Sequence, residues 1–207
     1  AFYEKLVAWA KTYEVGVVSD LAYGALGYQG YENPSFLSTP GAKDVGIEFY
    51  TFSKTFNMAG WRLAFAAGNE QMIEALNLIQ DHLFVGIFPA LQEAGIAALL
   101  DPKSEEAVAQ LNETYDSRRD AFVQAAAKIG WQAFPSRGSF YAWMPVPEGY
   151  TSESFADLLL EKAHVAVAPG KGFGPAGDAY VRIGLLVEPE RLVEAVDRIA
   201  NLHLFNN

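Results

Sequence analysis

Short β-prone stretches alternate with amphipathic ones along the first half of the chain, and this alternation limits the fold more than any other feature. Phe2 to Tyr13 has apolar residues at helical spacing, whereas Val15 to Ser19 and Ile47 to Phe52 are short and β-prone. Strands that alternate with helices favour a parallel sheet. The sequence therefore predicts an α/β fold, with another strand at Trp61 to Ala67 and helices at Glu70 to Ile79, capped by Asn69, and at Pro89 to Leu100.

The pattern changes after Pro102. Ser104 to Lys128 has apolar residues three or four positions apart, and acidic residues follow Ser104 directly, as at the start of a helix. The rest of the chain indicates a smaller α+β unit, so the predicted boundary separates residues 1–103 from residues 104–207. The strands of this unit are predicted at Trp131 to Phe134, Ser139 to Met144, Val165 to Ala168 and Ala179 to Leu185, and its helices at Ser152 to Lys162 and Glu188 to Ile199.

Composition excludes several classes of protein. With 207 residues, of which 51% are hydrophobic, the chain can bury a core. Its net charge of −10 opposes binding to nucleic acid, because the phosphate backbone is also negative. The lack of cysteine rules out disulfides and thiolate metal sites and fits a cytoplasmic protein. No apolar stretch reaches the roughly 18 residues that span a bilayer, so no membrane partner is predicted.

Lys54 is the strongest candidate for chemistry. It follows the predicted strand Ile47 to Phe52 closely, and Arg62 stands eight residues further on. A lysine at a strand end beside a fixed cation is well placed to act as a nucleophile and form a Schiff base. Asp20 stands at the carboxyl end of the preceding strand, which is the edge where open α/β sheets bind ligands, and Tyr23 follows three residues later.

These side chains suit a pyridine ring that bears a phosphate. A carboxylate such as Asp20 keeps the ring nitrogen protonated, and a phenol such as Tyr23 donates to the phenolate oxygen of the ring. The planar guanidinium of Arg62 binds phosphate through two hydrogen bonds. The hydroxyls of Thr51 and Ser53 are available to the same phosphate.

Arg182 stands inside the predicted strand Ala179 to Leu185, where a guanidinium requires an anion that a substrate carboxylate would supply. Each candidate also has a simpler explanation when it is taken singly. Asp20 suits a turn or a helix cap, Tyr23 suits loop packing, and Lys54 suits the protein surface. The two arginines suit structural ion pairs. The case for a functional site therefore depends on the presence of all these residues together in one chain.

Two other features are predicted to take no direct part in chemistry. The stretch from Gly170 to Gly174 resembles a phosphate-binding loop only in its glycines, because the Walker pattern is missing, and it is predicted to form a turn at the mouth of the site. The three histidines share no spacing that indicates a metal site.

Together these motifs resemble the C-terminal portion of a fold-type I (class I/II) pyridoxal-phosphate-dependent aminotransferase. Asp20 to Tyr23 resembles the family's pair for the pyridine nitrogen and the phenolate oxygen, and Ser53 to Arg62 resembles its Schiff-base lysine and phosphate arginine. Arg182 is similar to the arginine that binds the substrate α-carboxylate, and further similarity lies in Gly138 to Tyr141 and Pro169 to Gly174. The resemblance covers essentially the whole chain.

The resemblance implies a fold and a mechanism. Residues 1–103 would be part of a pyridoxal-phosphate-transferase large domain, a mostly parallel sheet with flanking helices, and residues 104–207 the small C-terminal domain. The implied reaction is a ping-pong transfer of an amino group between an amino acid and a 2-keto acid, with pyridoxal 5'-phosphate as cofactor and Lys54 as the Schiff-base amine. The implied assembly of the full-length enzyme is a homodimer.

About half of the family's machinery lies upstream of a sequence such as this one. The chain is therefore expected to be a fragment that lacks the N-terminal half and has little or no transaminase activity alone. Missing parts would include a Gly/Ser-rich phosphate loop and an aromatic residue that stacks on the cofactor ring.

The substrate is predicted from apolar segments and from resemblance. Tyr23 to Phe36 and Phe84 to Phe88 are apolar and aromatic, which favours neutral, apolar or sulfur-containing amino acids. The stretch from Tyr23 through Phe84 resembles bacterial methionine-salvage aminotransferases, which convert 2-keto-4-methylthiobutyrate to methionine, and is similar to diaminopimelate aminotransferases as well. Two alternatives stay open: a lyase of the same fold, and a non-catalytic effector-binding domain such as those of some bacterial transcription regulators.

Overall fold

The chain folds into two compact units in the computed structural model, which describes residues 1–134 and 136–205. The first unit is Ala1–Leu111, and the second begins at Asn112. This division falls inside the long helix Ser104–Lys128, so the predicted domain boundary after residue 103 stays a prediction. None of the helices formed by the described residues has both the length and the apolar composition that crossing a membrane requires.

A three-stranded sheet forms the centre of the first unit. Strand β1 (Val17–Asp20) pairs in parallel with β2 (Gly46–Thr51), and β2 pairs in antiparallel fashion with β3 (Ala64–Gly68). The connection over residues 21–45 is long enough for a parallel return, whereas the short connection over residues 52–63 reverses the chain direction. The sheet thus adds an antiparallel pair to the parallel pair that the alternating pattern predicts.

The helices of the first unit lie close to their predicted positions. Asn69 caps the fourth helix as predicted, because its side chain accepts a hydrogen bond from the Met72 backbone N–H at 3.1 Å. That helix continues to Leu83, four residues beyond the predicted end. The helices are α1 (Phe2–Tyr13), α2 (Ala42–Val45), α3 (Phe52–Thr55), α4 (Glu70–Leu83) and α5 (Pro89–Leu100), followed by α6 (Ser104–Lys128).

The second unit packs helices against one face of an antiparallel sheet. Its strands are β4 (Tyr141–Pro145), β5 (Ala168–Pro169) and β6 (Tyr180–Gly184), in the order β4-β6-β5. Alternate residues of β4 and β6 are buried in a core around Trp131 and Phe155, so the other face of the sheet is free to bear functional side chains. Its other helices are α7 (Ser152–Leu158), which continues as a π-helical turn at Leu159–Ala163, and α8 (Pro189–Ala200).

One predicted strand is absent. Trp131 to Phe134 is not part of the sheet, because the side chain of Trp131 turns inward and its indole N–H donates to the Pro145 carbonyl at 2.8 Å. The segment still touches the sheet through one backbone bond, from the Phe134 N–H to the Trp143 carbonyl at 2.9 Å. Burial of a large aromatic ring here outweighs the β-propensity of the segment.

Candidate active site

The carboxyl ends of β1 and β2 meet at one edge of the first sheet. Asp20 is the last residue of β1 and Thr51 is the last residue of β2. Because the two strands are parallel and Asp20 is in register with Phe49, these two strand ends lie at the same edge. A backbone hydrogen bond of 3.0 Å from the Leu21 N–H to the Phe49 carbonyl extends the pairing one residue past β1. This edge holds the sequence-predicted residues of the first unit.

The turn after β2 presents Lys54. Thr51 caps the short helix α3, since its hydroxyl oxygen accepts from the Ser53 backbone N–H at 3.2 Å and lies 3.0 Å from the Ser53 hydroxyl. Lys54 is half-buried, and its Nζ lies 5.8 Å from the centre of the Tyr23 ring, within cation–π range. The structure thus brings together an amine from the β2 turn and a phenol from the loop that follows β1.

Arg62 ends the same connection in a left-handed backbone conformation. Its φ of 52° places it just after the helical turn Ala59–Trp61, and its Nη1 donates to the Ala59 carbonyl at 2.9 Å. The side chain is exposed, so its other N–H donors face solvent or a ligand. A non-glycine residue in this conformation is uncommon, and such residues concentrate at functional turns.

Glu48 is a residue of this region that the sequence analysis missed. It lies in the middle of β2 and is buried, with 7% of its surface exposed, although its side chain is a carboxylic acid. Its carboxylate accepts hydrogen bonds from the Ser19 hydroxyl at 2.9 Å, the Ser35 hydroxyl at 2.6 Å and the Phe36 backbone N–H at 2.7 Å. The bonds from Ser35 and Phe36 tie the connection over residues 21–45 to the sheet, and the bond from Ser19 joins β1 to β2. A charged residue inside a β-prone stretch was the signal that could have identified it.

Asn33 fixes the part of that loop that bears Tyr23. Its side-chain amide nitrogen lies within hydrogen-bonding distance of three carbonyls, those of Tyr23 at 3.1 Å, Gly24 at 3.3 Å and Leu26 at 3.1 Å. The Tyr23 carbonyl also accepts from the Leu26 backbone N–H at 2.9 Å, so the amide of Asn33 adds a side-chain contact to a turn that the backbone already closes. The asparagine lies in a loop rich in turn residues, so the sequence alone did not distinguish it.

Arg182 lies in the second unit, on the face of the sheet opposite the core. It occupies the central strand β6, and two aromatic rings flank its guanidinium: the Cζ atom lies 4.1 Å from the centre of the Tyr141 ring and 4.2 Å from that of Phe173. Within residues 1–134 and 136–205, no carboxylate pairs with its guanidinium and no side-chain hydrogen bond engages it. The structural ion pair considered from the sequence is therefore not seen among these residues.

The glycine-rich stretch forms a turn that places Phe173 against Arg182. Residues Gly170–Phe173 make a short helical turn. A Cβ atom at Gly170 would lie 2.1 Å from the Gly177 carbonyl oxygen, so the two backbone segments pack closely only because both residues are glycine. The backbone N–H of Lys171 also donates to the buried Ser152 hydroxyl at 3.2 Å.

Electrostatic contacts reinforce this turn. The hydroxyl and the backbone N–H of Ser152 both donate to Asp178, at 2.8 Å and 3.1 Å, and these two hydrogen bonds hold the pKa of the Asp178 carboxyl below its ordinary value. Lys171 contacts Glu153 at 2.5 Å, and this hydrogen-bonded ion pair raises the pKa of the lysine. Within the described part of the chain, no cluster of three or more acidic or histidine side chains is placed to hold a metal ion.

Comparison with known proteins gives the same family from sequence and from structure. The family model described as Aminotransferase class I and II matches residues 1–199. L-glutamine–4-(methylsulfanyl)-2-oxobutanoate aminotransferase of Bacillus subtilis (strain 168) is 57% identical over 204 residues, which are 99% of this chain and 51% of that protein. LL-diaminopimelate aminotransferase of Moorella thermoacetica is 46% identical over 198 residues, 96% of this chain and 50% of that protein.

Solved structures of aminotransferases superimpose on the chain. The apo structure of BacF from Bacillus subtilis matches with a TM-score of 0.94 and 45% identity. The match covers 100% of this chain and 52% of the BacF chain. An aminotransferase from Staphylococcus aureus has a TM-score of 0.93 and 38% identity, covering 99% of this chain and 54% of its own. These matches confirm the predicted α/β fold and the predicted family, which uses pyridoxal phosphate. The chain spans about half the length of these relatives, and it belongs to the class I and II aminotransferase family.

Proposed function

We propose that the full-length protein in which this sequence occurs is a pyridoxal-phosphate-dependent aminotransferase that moves an amino group between an amino acid and a 2-keto acid. The observation that supports this most is the placement of the Lys54 amine, 5.8 Å from the Tyr23 ring, at the sheet edge where Asp20 ends β1. Membership of the aminotransferase family supports the same reaction.

The donor set of the first unit fits this cofactor. A carboxylate, a phenol and an amine lie at or beside one sheet edge, and two hydroxyls stand there as well, one at the end of β2 and one in the turn after it. Asp20 would hold the proton on the ring nitrogen, Tyr23 would donate to the ring's phenolate oxygen, and Lys54 would bind the cofactor covalently. When bound, the cofactor supplies an electron sink for negative charge at the α-carbon of the amino acid.

Lys54 would also transfer the proton on which the reaction depends. Its unbound amine would act as a general base that takes the proton from the α-carbon of the amino acid and would donate that proton again later in the reaction. The half-buried position in α3, next to Tyr23, limits the directions in which the amine can reach. Proton transfer by a positioned side chain contributes about 10²–10⁴-fold to rate.

The phosphate would be held by the turn after β2. The hydroxyls of Thr51 and Ser53 stand at the start of this turn and lie 3.0 Å apart, so they can donate to one anion. Arg62 stands at its end with an exposed guanidinium. We assign these three side chains to the phosphate on that placement and on the chemistry of their donors.

Arg182 would bind the α-carboxylate of the substrate. Its guanidinium lies on an outward face, is flanked by two rings and has no anionic partner among the described residues. A planar guanidinium pairs with a carboxylate through two parallel hydrogen bonds. This pairing fixes the orientation of the substrate and neutralises the charge of its carboxylate.

The substrate class follows from the relatives and from the apolar composition. The relative that is 57% identical is named for 4-(methylsulfanyl)-2-oxobutanoate and L-glutamine, and the relative that is 46% identical for LL-diaminopimelate. Because Tyr23 to Phe36 is apolar and aromatic, we propose a neutral, apolar or sulfur-containing amino acid as the native substrate. We further propose a cytoplasmic homodimer as the working form.

The test is a turnover assay with a site variant. The full-length protein, loaded with pyridoxal phosphate, is incubated with L-glutamine and 4-(methylsulfanyl)-2-oxobutanoate, and methionine is measured. We expect methionine to form, and we expect Lys54→Ala to lower kcat at least about 100-fold. Keto acid and ammonia released from methionine without an acceptor would favour the lyase instead, and undiminished turnover by Lys54→Ala would contradict the proposal.

A further inference from the structure

The outward face of the second sheet bears an aromatic cluster around Arg182. Trp143 and Tyr180 stack with ring centres 5.4 Å apart, and Phe173 meets Trp143 edge-on at 5.8 Å. Phe173 also lies 4.2 Å from the Arg182 Cζ, and Tyr141 lies 4.1 Å from it on the neighbouring strand. Both rings that contact the guanidinium also pack against another ring, Phe173 against Trp143 and Tyr141 against Phe140 at 4.9 Å.

From this arrangement we infer that Phe173 is a positioning residue for substrate binding: its ring holds the Arg182 guanidinium in the orientation that receives the α-carboxylate. This inference rests on the proposed function, because it requires Arg182 to bind that carboxylate. A π face attracts a guanidinium but does not saturate its N–H donors, so the contact restrains the side chain and leaves the donors for an anion.

Fold stability alone does not explain the placement of Phe173. Its side chain is 52% exposed, so it removes little apolar surface from water compared with a core phenylalanine such as Phe155, which is fully buried. The turn that bears Phe173 is nevertheless tightly held, by close packing of Gly170 against Gly177 and by the hydrogen bond from the Lys171 N–H to Ser152. A half-exposed ring on a rigid turn suits a role toward a ligand.

The effect on binding follows from the strength of a cation–π contact. The contact is present with and without the carboxylate, so its loss acts on binding through the cost of ordering a guanidinium that the ring no longer holds. Because such contacts are worth about 0.5–2 kcal/mol, which sets the scale of that cost, carboxylate binding is expected to weaken roughly 2- to 30-fold. Rate at saturating substrate depends on the first-unit residues, so kcat is expected to change little. A substrate without a carboxylate does not engage Arg182, so its binding is expected not to depend on the Phe173 ring.

The experiment compares an amino acid with its decarboxylated analogue. The full-length protein with bound pyridoxal phosphate is mixed with L-methionine or with 3-(methylsulfanyl)propylamine, and the absorbance change of the cofactor is followed in single turnovers. For Phe173→Leu we expect the half-saturating concentration of L-methionine to rise roughly 2- to 30-fold, with the limiting rate and the reactivity toward the amine unchanged. Phe173→Tyr retains a ring face and is expected to bind L-methionine like the parent protein.

Two controls separate the possible failures. Phe134→Leu removes another exposed phenylalanine, 59% exposed in the same unit, and is expected to leave L-methionine binding unchanged. Arg182→Ala is expected to weaken L-methionine binding strongly. If Arg182→Ala weakens it and Phe173→Leu does not, or if Phe173→Leu harms the amine equally, the inference about Phe173 is wrong while the proposed function stands. If Arg182→Ala has no effect, the carboxylate assignment fails, and this inference with it.

Discussion

At the scale of the residue, the proposed chemistry depends on side chains that follow different strands. Asp20 ends β1, and Lys54 follows β2 by three residues. Both positions could be predicted from the sequence, because each comes directly after a short β-prone stretch. The contacts that support them could not, because the hydrogen-bond partners of Glu48 and Asn33 lie 7 to 29 residues away in the sequence and only the fold brings them near.

Asp20 is expected to govern rate more than cofactor binding. Asp20→Ala removes the carboxylate that would keep the ring nitrogen protonated, so we expect kcat of the full-length protein to fall about 100-fold or more while some cofactor stays bound. Turnover and bound cofactor are measured together by absorbance. Asp81→Ala, which changes an exposed aspartate of α4, serves as the control and is expected to have no effect. An unchanged kcat in Asp20→Ala would show that another group serves the ring nitrogen.

Glu48 is expected to govern stability. Glu48→Ala leaves the buried N–H of Phe36 and two serine hydroxyls without their acceptor, which we expect to cost roughly 2–4 kcal/mol of unfolding free energy. Urea unfolding at pH 7 measures this cost. Glu32→Ala changes an exposed glutamate of the same loop and is expected to stay within about 0.5 kcal/mol. Equal stability of the two variants would mean that the loop is not tied down through Glu48.

At the scale of the element, regular helices were easier to predict than the short pieces between them. The bounds of α1, α5 and α6 agree with the ranges predicted from the sequence. In contrast, β5 has only two residues and the predicted strand at Trp131 is absent. Short strands depend on what packs against them, so local propensity determines them poorly.

The turn that bears Phe173 is expected to lose its anchor in acid. Hydrogen bonds from Ser152 lower the folded-state pKa of Asp178 below its ordinary 3.8, so their stabilisation is complete well above that pH and is lost as pH falls through the folded-state pKa. Asp178→Asn should therefore be less stable than the parent at pH 7, and the difference should shrink toward pH 3. Urea unfolding at both pH values measures it. A difference that stays constant with pH would exclude this carboxylate as the cause.

At the scale of the whole molecule, the family and the α/β class were accessible from the sequence because the motifs are local and their spacing is specific. The predicted boundary after residue 103 also places the proposed site residues in two different parts of the chain. The first unit holds the amine, the carboxylate and the phenol, and the second holds Arg182. The chain also spans about half the length of its relatives.

That length relation leads to a prediction about activity. We expect the isolated 207-residue chain to show little or no transamination, whereas the full-length protein turns over. The reason is that the chain matches about half of each relative. Pyridoxal phosphate must be bound firmly and shielded from water, which requires protein contacts on more than one side of the cofactor. Matched assays of the two polypeptides at equal cofactor concentration measure the difference. Full turnover by the isolated chain would contradict the expectation.

The central claim is that Lys54 is the amine that binds the cofactor covalently. The full-length protein is incubated with pyridoxal phosphate, reduced with borohydride, digested and mapped by mass spectrometry, with Lys54→Arg treated in parallel. The account predicts one modified peptide, containing Lys54, and no specific modification in the variant. Modification centred on another lysine, or an unmodified Lys54 peptide in an enzyme that turns over, would contradict it.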